Sequence, residues 1–78
     1  MRVKFTQSTR KHRIGHAHAL FVMEKYKPVI EFQDEFTTRH SWIGEDDRGL
    51  VLEILAIVSD EEILVIHVMP RKFRRRSE

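Results

Sequence analysis

Residues 50–69 read LVLEILAIVSDEEILVIHVM, and the fold turns on them. Leu50–Val58 is the most apolar segment of the chain and is rich in β-branched side chains, which suit a pleated surface. Ser59-Asp60-Glu61-Glu62 has turn composition, and Ile63–Met69 resumes the apolar run until Pro70 stops it. This predicts an antiparallel hairpin with Leu50–Val58 as the central strand. Each strand carries one misfit. Glu53 shares a face with Val51, Leu55 and Ile57, and His67 alternates with Ile63, Val65 and Met69. A polar side chain on an apolar strand face needs a partner or a wet rim. Both residues lie a similar distance from the turn, so they can meet across the hairpin, although a one-residue slip would part them. Such a pair is either part of a catalytic groove or a structural hydrogen bond.

Upstream, Gly44-Glu45-Asp46-Asp47-Arg48-Gly49 is a second turn, preceded by a strand at His40–Ile43. Before it lie a polar connection, Asp34–Arg39, and another strand, Val29–Gln33. From His16 to Lys25 the period becomes helical. Ala19, Val22, Met23 and Tyr26 recur at i, i+3, i+4 and i+7, Ala17, Leu20 and Phe21 widen the stripe, and Pro28 ends it. A shorter helical stretch is expected over Thr9–His12, with Thr6 or Ser8 as its N-cap, and Arg2–Phe5 is an edge strand or an ordered arm. The expected fold is α+β: two N-terminal helices packed on a three- to four-stranded antiparallel sheet, in a single domain over 1–78.

The 78 residues carry a net charge of +2, but the charge is segregated. Residues 1–23 hold five cations and no acid, residues 24–70 hold four cations and eleven acids, and residues 71–78 hold five cations and one acid. Basic ends around an acidic middle point to an anionic partner, nucleic acid or acidic protein. An apolar content of 41% argues against a disordered tail, and the apolar runs are too short to span a bilayer. The cationic start leads into polar residues, unlike a signal peptide, so the expected location is the cytoplasm, with no membrane partner. The absence of cysteine excludes disulfides and thiolate metal sites.

Arg10-Lys11-His12 could hold phosphate and bring an imidazole to a reacting atom; the plainer reading is that the cations face solvent and His12 packs or caps the turn. His12, His16 and His18 do not converge at helical spacing, so neither a metal nor another cofactor is expected. The segment 71–78 places Arg71, Lys72, Arg74 and Arg75 around Phe73, which suits phosphate contact with an aromatic anchor. The two basic clusters can act together only if the fold joins the chain's ends. Trp42 reads as a core residue and Glu45-Asp46-Asp47 as a solvated hairpin tip.

Ser8-x-x-Lys11-His12-x-Ile14, Trp42-Ile43-Gly44-x-Asp46-x-x-Gly49, Leu52-Glu53-Ile54 and Ile66-His67-x-Met69-Pro70 follow one another along nearly the whole chain. This series resembles the BrnT-type toxins of bacterial type II toxin–antitoxin modules, which are related to the RelE superfamily of messenger-RNA-cleaving toxins. The resemblance implies a compact toxin neutralised by a cognate antitoxin encoded alongside it, as a homodimer or a toxin–antitoxin hetero-oligomer. By position, it implies that Lys11, His12, Arg71, Lys72, Arg74 and Arg75 face RNA, free or on the ribosome, with His67 as an addition. The chain departs from the pattern at Arg13, where such sequences often carry Gly, and in having a basic tail where they carry a further helix.

The expected activity is metal-independent endoribonuclease cleavage of mRNA. His12 or His67 would transfer the proton, Glu53 would accompany His67, and Lys11, Arg10, Arg71 and Arg74 would hold phosphate. Two other classes fit the same residues: a non-catalytic nucleic-acid-binding module, and a purely protein-binding partner.

Overall fold

The computed structural model describes residues 2–71. The hairpin that anchors the sequence reading is present. β4 (Val51–Val58) and β5 (Glu62–Pro70) pair antiparallel, and β3 (Thr38–Glu45) and β2 (Val29–Phe32) extend the sheet on the other side of β4. β1 (Arg2–Phe5) then pairs with β5 in parallel, Arg2 opposite Glu62 and Phe5 opposite Val65, so the sheet order is β1-β5-β4-β3-β2. β4 is central, as its composition requires.

The arrangement of two helices on a three- to four-stranded antiparallel sheet is therefore overturned. The described residues form a mixed five-stranded sheet, nearly half strand, with one α-helix, α1 (His16–Lys25), and a 3₁₀ helix over Gln7–His12. The first helical segment stays 3₁₀ because only seven residues separate the end of β1 from the reversal at Arg13, and runs this short favour the tighter winding. Neither expected cap operates. Thr6 sits at the N-cap without a side-chain cap bond, its Oγ1 instead lies 2.8 Å from Ser8 Oγ, and Ser8 Oγ donates to the Ile66 carbonyl at 2.8 Å.

α1 follows its predicted boundaries. Its first turn has no capping side chain at Gly15, and at its end the Tyr26 N–H closes on the Val22 carbonyl. Ala19 and Val22 are buried against Trp42, Leu52, Ile54, Ala56, Val65 and Val68, with Met23 and Tyr26 packed on this cluster. Ala17 and Leu20 are exposed, so the buried stripe is narrower than the apolar one. Gly44 lies in β3 rather than in a loop, because Tyr26 packs its ring where a Cβ would stand. β3 also begins at Thr38, and thus takes in two residues read as connection.

Along β4, Leu52, Ile54 and Ala56 face α1, whereas Val51, Glu53, Leu55 and Ile57 are half-buried on the opposite face, which no helix among the described residues covers. Glu53 and His67 lie on that open face.

Candidate functional site

The position of His67 is set by an irregularity in β5. From Ile63 to Val65 the register pairs Val58 with Ile63, Ile57 with Leu64 and Ala56 with Val65. It then shifts, and Leu55 pairs with His67, Ile54 with Val68 and Glu53 with Met69. Ile66 is the extra residue of a β-bulge. The strict alternation expected for β5 is thereby corrected. Ile63 and Val65 face the core, but His67 and Met69 face the open side, and Val68 takes the core position that His67 would otherwise have filled. Glu53 and His67 become diagonal neighbours on that side, with His67 Nε2 3.5 Å from Glu53 Oε1 and both side chains about one-third exposed (33% and 37%).

The bulge is held from the N-terminal side. The Thr6 N–H donates to the Val65 carbonyl at 3.0 Å, Ser8 Oγ takes up the Ile66 carbonyl, and the buried Thr9 donates its hydroxyl to the Thr6 carbonyl at 2.6 Å. The carbonyl of a bulged residue loses its ladder partner, and an unpaired carbonyl in a half-buried setting is costly. The Ser8 hydroxyl supplies the missing donor.

These contacts bind the cationic segment to β5. Arg10, Lys11, His12 and Arg13 are exposed at the end of the 3₁₀ helix, and among the described residues no hydrogen bond or ion pair ties their side chains to another group. Successive residues of a 3₁₀ helix point about 120° apart, so Arg10, Lys11 and His12 fan out instead of converging on one atom. Arg13 adopts the left-handed conformation, φ 57° and ψ 34°, and its N–H closes on the Arg10 carbonyl. At the end of β5 the Arg71 N–H donates to the Val51 carbonyl at 2.8 Å, so the ladder continues one residue past Pro70. Alternation puts Arg71 on the face of Met69 and His67, about 7 Å per two residues along the strand. Both the 3₁₀ segment that carries the N-terminal cations and Arg71 thus lie against β5. Lys72, Arg74 and Arg75 lie outside the described residues.

The remaining histidines go separate ways. His16 stacks on Phe5, ring centroids 3.8 Å apart and 8° from parallel. His18 Nδ1 lies 2.5 Å from an Asp47 carboxylate oxygen. His40 is half-buried beside Trp42, with its Nε2 3.0 Å from Thr38 Oγ1, and burial holds its pKa below the usual 6.5. Trp42 is buried as expected, and its indole N–H has no partner among the described residues.

The expected solvated tip at Glu45-Asp46-Asp47 needs correction at Asp46, which is only 4% exposed. Its Oδ1 accepts the N–H groups of Arg48 and Leu50, and its Oδ2 accepts Arg48 Nε at 2.9 Å and a terminal guanidinium nitrogen at 2.6 Å. Burial alone would raise the Asp46 pKa, but Arg48 and the two amides outweigh it and hold the carboxyl below its ordinary value. The turn brings Asp46 and Asp47 to His18, with ligand atoms within 4.8 Å of one another, a grouping that sequence spacing did not reveal. Arg48 pairs with Asp46 Oδ2 and the backbone N–H groups with Oδ1, so Asp46 organises the turn.

Among the described residues no helix is long and apolar enough to cross a membrane. Comparison with family models, with curated proteins and with solved structures finds no match to this chain. The likeness to BrnT-type toxins therefore rests on the motifs alone.

Proposed function

We propose that the protein is the toxin of a type II toxin–antitoxin module and cleaves mRNA as a metal-independent endoribonuclease, arresting translation until a cognate antitoxin neutralises it. The observation that supports this reading is that the cationic 3₁₀ segment and Arg71 both border β5, the strand that carries His67 beside Glu53. RNA laid along that strand would meet cations and an imidazole, which is the combination that phosphodiester transfer requires.

In this mechanism His67 accepts the proton of a ribose 2′-hydroxyl, and the nearby Glu53 carboxylate stabilises its cationic form. The 2′-oxygen bonds to the adjacent phosphorus while the bond to the 5′-oxygen breaks. The leaving oxygen takes a proton from a second acid, for which His12 is the candidate, and the products are a 2′,3′-cyclic phosphate and a 5′-hydroxyl. Arg10, Lys11 and Arg71 neutralise charge on the non-bridging oxygens. These steps need a base, an acid and cations, and so require no metal.

The test is incubation of purified, antitoxin-free protein with messenger RNA, with and without ribosomes, in the presence of a chelator. Cyclic-phosphate ends are expected, with a loss of about 10²-fold or more in His67→Gln. Intact RNA under both conditions refutes the reading. The non-catalytic RNA-binding module is favoured by one observation: at 3.5 Å the Glu53–His67 contact is too long for a hydrogen bond that fixes the ring. That reading predicts salt-sensitive retention of uncut RNA.

A further inference from the structure

The two edges of the sheet differ in kind. β1 places Arg2 and Lys4 within its four residues, and charged edge strands resist further pairing. β2 carries a single charge, Glu31, among three large apolar residues: Val29 is 64% exposed, Ile30 58% and Phe32 80%. Phe36, also exposed, continues the patch into the turn after β2. An unpaired edge with this much apolar surface is a template for another strand.

We propose that β2 pairs antiparallel with β2 of a second copy of the chain, merging two five-stranded sheets into one continuous sheet. The sequence of the strand is what selects a second copy. A two-fold axis normal to the sheet keeps like faces together, so residues facing one another across it must share parity, and pairing must centre on one residue of the strand; centring on Phe32 matches that residue alone, which leaves Val29, Ile30 and Glu31 to compare. Centring on Glu31 sets two carboxylates opposite each other. Centring on Val29 sets Glu31 opposite Lys27 but leaves Val29 alone matched strand to strand, because Ile30 then faces Pro28, which lacks an N–H. Centring on Ile30 sets that residue against itself and Val29 against Glu31. It also brings Lys27 diagonally to Glu31 of the other copy, within reach of a long side chain. This contact occurs twice by symmetry, so the strand's only acid meets the cation that precedes it. Phe32 then lies against Pro28 of the second copy. The interface is independent of the RNA-cleavage reading, since β2 and β5 are separated by β3 and β4.

The experiment is sedimentation equilibrium of the full chain over a concentration series. A monomer–dimer equilibrium is expected. Ile30→Lys, which sets two ammonium groups opposite each other, should weaken it by at least about tenfold while leaving the circular dichroism spectrum unchanged, because Ile30 is exposed in the single chain. Should that variant misfold, the charge pair decides. Glu31→Lys weakens the dimer, and adding Lys27→Glu restores it. A chain that stays monomeric throughout, or a dimer that none of these changes weakens, overturns the proposal.

Discussion

Gly44→Ala is the sharpest test of how α1 is seated on the sheet. A Cβ built at Gly44 would stand 2.5 Å from Tyr26 Cε1 and 2.6 Å from Cγ. Carbon atoms in good contact sit about 3.5–4.0 Å apart, so one partner must retreat by roughly 1 Å. Gly44 cannot retreat easily, because it pairs with Leu52 inside the β3–β4 ladder. Nor can the Tyr26 backbone, whose N–H holds the Val22 carbonyl at 3.0 Å. The ring must therefore leave the position that covers β3, and overpacking of this kind costs about 1–3 kcal/mol. The strain outweighs the stabilisation of about 0.5–1 kcal/mol that replacing a strand glycine would otherwise bring. In a domain of this size each kcal/mol lowers Tm by about 4–8 °C. The assay is urea unfolding of a double-mutant cycle with Tyr26→Ala. In that background Gly44→Ala should be neutral or slightly stabilising, giving a coupling of at least about 1 kcal/mol. Equal costs in both backgrounds would refute the argument, since the tyrosine ring would then not be what requires glycine.

Other expected outcomes concern the N-terminal segment and β3. Arg13→Gly should hold or raise stability, by up to about 1 kcal/mol, because the left-handed backbone is strained for Arg; Arg13→Val should lose about 1–2 kcal/mol in the same urea titration. Ser8→Ala should cost about 0.5–1.5 kcal/mol and speed amide exchange in β5 around Ile66, whose carbonyl it would leave unpaired. For His40 the folded pKa is depressed by burial, so the unfolded chain takes up the proton first. Its contribution is unchanged above pH 6.5 and stability falls as pH drops from there toward the folded pKa; His40→Gln should flatten that part of the stability–pH curve.

α1 and the β4–β5 hairpin were legible because their periods differ and their ends are marked by Gly15, Pro28 and the polar turn. The parallel pairing of β1 was not. Four alternating residues carry no information about a partner near the other end of the chain. The bulge at Ile66 was hidden for a related reason. In a strand apolar on both faces, a shift of one residue leaves the composition unchanged, and His67 was the only polar marker of which face came next. Glu53 and His67 were recognisable as misfits on their strands, whereas their proximity depended on that unseen residue. Asp46 was misread because acids in a turn usually face water. The Arg48 two residues later, followed by Gly49 with φ 86°, was the available sign of a carboxylate turned inward.

The β1–β5 pairing also dictates an order of assembly. Strands β2 to β5 join through sequence neighbours and can zip locally, but Arg2 must find Glu62 across almost the whole described chain. Closing so long a loop gains nothing until β5 already lies on β4. The 3₁₀ segment that carries Arg10, Lys11 and His12 is therefore the last part to dock. It is also the part that can detach without unravelling the meander. Hydrogen exchange should accordingly show β1 opening at lower free energy than β4, so that the cationic segment held against β5 comes and goes as a unit.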